Sequence, residues 1–61
     1  MTATEHITAA ESLIAQADAL MDGSQHYYGP EASKLNRVSA LSGLAAAHAA
    51  AAQALNSQPA A

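Results

Sequence analysis

The chain has 61 residues, 51% of them hydrophobic, and a formal charge of −3 from five acidic and two basic side chains. That length holds one domain or less. The lack of cysteine excludes disulfides and thiolate metal sites, and two basic residues cannot build the face that neutralises nucleic-acid phosphates. Catalysis is without a signature too: there is no glycine-rich phosphate loop, nucleophile elbow or pair of carboxylates at a recognisable spacing. The opening residues Met1 to His6 lack the basic residues and apolar core of a signal peptide. The longest apolar run, around Leu44–Ala52, is about half of what a bilayer span requires, and His48 interrupts it. The expectation is a soluble cytoplasmic protein that binds no cofactor, no nucleic acid and no membrane.

Residues 2–22 read as a first helix. Thr2 followed by Glu5 fits a capping box, in which hydroxyl and carboxylate each take a free backbone N–H. Thr8 with Glu11 repeats the pattern one turn or so later. Ile7, Ile14 and Met21 recur every seven residues, with Ala10 and Ala17 between them and Leu13 and Leu20 widening the stripe. The expected result is an amphipathic helix with one dry face about 100° wide. Gly23 is placed to take the left-handed turn past its end, and Asp22, badly placed against the helix dipole, is better used in the turn.

Residues 23–29 form the connection, a length suited to neighbouring antiparallel helices. Tyr27 and Tyr28 stand here, in a chain with neither Phe nor Trp. Tyrosine buries its ring and leaves its hydroxyl wet, so one of the two is expected to cover this end of the helix pair. The pair also forms a candidate contact site for a protein partner, since Tyr is enriched at binding hot spots.

Residues 30–55 read as a second, longer helix. Pro30 suits its first position and Glu31 the positive end of its dipole. Val38, Leu41, Ala45, His48, Ala52 and Leu55 follow at steps of 3, 4, 3, 4 and 3, a heptad seam facing a partner helix. Alanine at the seam lets helices approach to roughly 8 Å. Gly43 costs up to about 1 kcal/mol inside a helix. Ser39, Gly43 and Ala47 lie four apart, and close backbone approach along that row would offset the loss. Asn56 is placed to cap the end, with residues 56–61 as a frayed tail.

These spacings predict an all-α single domain, 1–61: an antiparallel helical hairpin. A domain of this size buries only about 60% of its unfolded surface and has no staple, so association is the expected remedy. The hairpin should pair with a copy of itself into a four-helix bundle. Val38, Leu41, Ala45, His48, Ala52 and Leu55 are the expected self-association surface.

Folding the hairpin about its loop brings Asp18 near Lys34 and His6 near His48. Two imidazoles at one level raise the question of a metal, so His6 and His48 are the candidate ligands. The spacing gives neither H-x-x-x-H nor H-E-x-x-H, and the acid close by in sequence is Glu5. The same pair would give a pH response if His48 sits neutral in a dry seam.

The segment Leu41-Ser-Gly-Leu-Ala-Ala-Ala-His-Ala-Ala-Ala-Ala-Gln-Ala-Leu55, preceded by an amphipathic helix starting near Thr4-Glu5-His6, resembles small uncharacterised two-helix proteins of actinobacteria and their bacteriophages. What the resemblance implies is a setting: a phage or prophage accessory protein in the host cytoplasm. It carries no activity and no functional residues. The expected function is that of a small non-enzymatic interaction protein that associates with itself and binds a host or virion protein. A His-based metal-binding or pH-responsive bundle is the alternative, and a capsid-associated virion component is a third.

Overall fold

The computed structural model describes residues 1–58. Two helices account for most of them, α1 at Ala3–Asp22 and α2 at Glu31–Asn56, packed antiparallel into a hairpin of 50 × 17 × 15 Å. Pro59, Ala60 and Ala61, the end of the expected tail, lie outside the described residues.

Local chemistry sets the ends of α1. Thr2 accepts from the Glu5 N–H at 3.1 Å, while the Glu5 carboxylate accepts from the Thr2 N–H at 2.8 Å. This is the expected capping box, and the later Thr8–Glu11 start is not used. The backbone N–H of Thr2 is the main reason the Glu5 carboxyl titrates below its ordinary value, with the Thr2 hydroxyl contact second. A lowered folded pKa means this support is present above the unfolded value of 4.5 and is lost as pH falls through the folded one. At the other end Gly23 takes φ 83°, where a side chain would meet its own backbone. Asp22 accepts from the Ser24 N–H at 2.8 Å; it serves the turn, and that bond lowers its pKa.

α2 starts one residue later than expected. Pro30 is its cap, in extended conformation, and brings no side-chain hydrogen bond to the helix. At its far end Asn56 is still helical, and the cap is Ser57, whose hydroxyl donates to the Gln53 carbonyl at 2.8 Å.

One strip on each helix is covered by the other. On α1 the strip is Ala3, His6, Ala10, Leu13, Ala17 and Leu20, all buried or half-buried, and its steps of 3 and 4 make it a heptad seam. On α2 it is Lys34, Val38, Leu41, Ala45, His48 and Ala52. His6 meets His48 across it. Stepping along both seams from there brings Ala10 level with Ala45, Leu13 with Leu41 and Ala17 with Val38. Ala17, Leu20 and Leu41 form the buried cluster, with Leu13, Val38 and Tyr27 packed against it. The ring of Tyr27 reaches that cluster over Gly29, where an added Cβ would stand 2.8 Å from its Cε1.

Three expectations need correction. Ile7, Ile14 and Met21, read as the centre of the dry face of α1, are 43%, 50% and 58% exposed; the covered strip lies one residue behind them. Lys34 pairs with Glu31 at 3.2 Å rather than with Asp18, because a partner one turn away on the same helix costs less ordering than one across the seam. Gly43 is exposed, with nothing within 4 Å of an added Cβ, so close approach does not offset its cost. Gly43→Ala should therefore stabilise the protein by roughly 0.5–1 kcal/mol. Thermal melting checks this, and a lowered midpoint would show that the outer face of α2 is in contact with something.

Candidate functional site

Val38, Leu41, Ala45, His48 and Ala52, the residues assigned to self-association, all face α1 of the same chain, and Leu55 lies exposed at the edge. Within the chain this seam is covered by α1. The large apolar side chains left exposed lie one helical position to the side. Ile7, Ile14 and Met21 form a ridge along α1, and Leu35, 47% exposed, continues the apolar surface on α2. In the hairpin register these levels pair Ile7 with Ala49, Ile14 with Ser42 and Met21 with Leu35.

Between ridge and α2 runs an open groove of about 310 Å³, floored by Ala17 and Ala45 and walled by Ile14, Ser42, Ala46 and Ala49. The groove reaches the lower end of ligand-pocket volumes. Asp18 stands at its rim and Ser42 on its wall, too few polar groups to orient a small polar ligand. Its shape comes from the sequence directly. Alanine on α2 leaves the trough, and large side chains every seventh residue on α1 leave the ridge. Periodicity contained this signal, since Ile7, Ile14 and Met21 were conspicuous, but it attached them to the wrong neighbour.

Tyr27 and Tyr28 part company. Tyr27 is half-buried against the core cluster, covering the loop end. Tyr28 is 90% exposed, with the ring of His26 edge-on to it at 4.5 Å between centroids. Beneath this loop lies a smaller cavity of about 170 Å³ between Leu20, Tyr27 and Lys34.

His6 and His48 are brought together as their levels predicted. Their Nδ1 atoms are 2.8 Å apart, part-buried between the helices, and the rings are tilted by 41°. This is a hydrogen-bond distance. Two nitrogens on one tetrahedral zinc, each at 2.0–2.1 Å, sit roughly 3.3 Å apart. Among the described residues no third His, Cys, Asp or Glu joins them in a ligand group, so the pair supplies fewer protein ligands than a zinc site holds.

α2 also departs from the sequence reading in its apolar length. Taken as a whole helix it is long and apolar enough to cross a membrane by length and composition, with a window of mean hydropathy 1.3. The alanine run together with Val38, Leu41, Leu44 and Leu55 adds up where the central run alone does not. No family model, no curated protein and no solved structure matches this chain.

Proposed function

We propose that this chain is a small non-enzymatic interaction protein that pairs with a copy of itself through the face carrying Ile7, Ile14, Met21 and Leu35. The observation that carries this reading is the exposure of those four side chains as one lengthwise strip beside an alanine-floored groove. Single exposed apolar residues are ordinary, but a contiguous strip marks an interaction site. The face is complementary to itself: turned by a two-fold axis, the ridge of one copy meets the trough of the other, as an isologous interface requires. Its extent is sufficient. A long face of a 50 × 17 × 15 Å rod presents on the order of 800 Å², what each partner gives to a stable interface. The product is a four-helix bundle.

A water-facing role fits the hairpin better than a bilayer. α1 packs along α2 and carries Glu5, Glu11, Asp18 and Asp22, each costly at membrane depth. The resemblance at Leu41–Leu55 supports the setting, a phage or prophage product in a bacterial cytoplasm whose bundle then meets a host or virion protein. Tyr28 at the exposed tip is the residue most available to such a partner.

Sedimentation equilibrium tests the pairing. The expected result is a species of twice 6.1 kDa that dissociates on dilution. Ile14→Glu should shift it to the single-chain mass while helix content holds, because a charge buried at an interface without a partner costs several kcal/mol. A single-chain mass at every concentration up to about 1 mM, the range of weak association, would defeat the proposal.

A further inference from the structure

We propose that His6 and His48 form a one-proton latch that closes the end of the hairpin opposite the loop and opens when both rings are protonated. The contact lies within one chain, so the inference goes beyond self-association and stands or falls separately from it.

The ring nitrogens of the pair limit how many protons the contact can take. A 2.8 Å contact between two Nδ1 atoms needs a proton on one and a lone pair on the other. In the neutral pair, one ring is the Nδ1–H tautomer and donates; the other is the Nε2–H tautomer and accepts. A first added proton has a free place, the Nε2 of the donor ring. The donor becomes an imidazolium and its bond to the partner becomes charge-assisted, shorter and stronger. A second proton has no free place. The remaining lone pair is the accepting Nδ1 itself, so binding there removes the acceptor and sets two positive charges face to face. The contact therefore survives one added proton and fails at the second. A histidine that is merely buried behaves otherwise, since burial disfavours its first charge.

The surroundings leave this logic undisturbed. On α1 the charged neighbours are Glu5, whose carboxylate interacts with His6, and the Met1 amino group near Glu5. α2 offers no ionisable side chain other than His48 from Val38 to Asn56. Alanine flanks the latch on that helix, at Ala47 and Ala49, with Ala45 and Ala52 above and below it in the seam. Small side chains there give the helix ends little else to hold them, so the hydrogen bond has weight in closing this end.

The test is nitrogen NMR on the ¹⁵N-labelled full chain. At about pH 7, a coupling across the hydrogen bond should join the His6 and His48 Nδ1 resonances; by about pH 4.5 it should be gone. Over the same interval, backbone amide exchange at the end of α2, corrected for intrinsic rates, should speed up about fivefold, the loss of one ordinary hydrogen bond. The H6A/H48A double variant keeps every carboxylate, so it reports the acid response that does not pass through the imidazoles. It should exchange fast at both pH values. An absent coupling at about pH 7 overturns the latch, and that reading uses the unaltered chain, so it survives a variant that fails to fold. An acid response in the wild type equal to that of the double variant overturns it as well.

Discussion

Leu41→Ala is expected to remove a large share of the protein's stability. Leu41 is 7% exposed and Leu20 is 4% exposed, and these are the two large side chains that the hairpin buries. The other buried residues among those described are alanines, and Leu13, Val38 and Tyr27 already pack against the cluster, so the space can be refilled only in part. Deleting a buried leucine costs about 2–5 kcal/mol, most where the site cannot collapse. A scaffold of this length holds only about 3–5 kcal/mol in total. At 4–8 °C of midpoint per kcal/mol for a small domain, the loss should lower the melting midpoint by roughly 10 °C or more. Circular dichroism melts at matched protein concentration check this, since association makes the midpoint depend on concentration. Leu44→Ala is the control. Leu44 is 53% exposed, and its truncation should stay within about 0.5 kcal/mol, as at an ordinary surface position. Equal losses at both positions would mean that Leu41 is not the core residue described here.

Enlarging the seam alanines should be nearly as damaging. Ala45 and Ala52 are 4% and 3% exposed and face α1, with Ala10 on the opposite side at the level of Ala45. Leucine at either position puts three extra carbons where the helices need their closest approach, at about 1–3 kcal/mol each. The two sites lie seven residues apart on one seam, so their costs should add only approximately. Ala47→Leu separates register from composition. Ala47 is exposed on the same alanine-rich helix, and leucine is as good a helix former within a few tenths of a kcal/mol. Urea unfolding should rank Ala45→Leu and Ala52→Leu well below Ala47→Leu. Three equal midpoints would show that the helices are not held at alanine spacing.

How far the sequence told this in advance depended on which interactions were local. The capping box at Thr2–Glu5, the stop at Gly23 and the turn bond of Asp22 each involve residues within three positions, so the chain alone specified them. The seam of α2 was legible too, because alanine and leucine at heptad spacing leave one reading. The level of His6 with His48 followed from the loop length. The seam of α1 was not legible. Its dry stripe is wider than one neighbouring helix can cover, and the largest residues in it attracted the reading. Packing chose otherwise. Small residues at Ala10 and Ala17 let α1 approach the alanines of α2, and Leu13 and Leu20 fill the layers between, which leaves Ile7, Ile14 and Met21 outside. Within the chain α1 covers the α2 seam, which its spacing did not specify: heptad spacing states that a seam is covered but does not say whether by the same chain or another. Lys34 and Gly43 failed as expectations because each was given a long-range role where a local or solvent one sufficed.

The antiparallel path has a practical consequence. Thr2 and Ser57 come out at one tip of the rod, and Tyr28 projects from the other, up to 50 Å away. A fluorophore or tether attached beside Thr2 or Ser57 will be carried at the tip away from the tyrosine. A binding screen can therefore immobilise this protein through either position and still offer the same tip to whatever it meets.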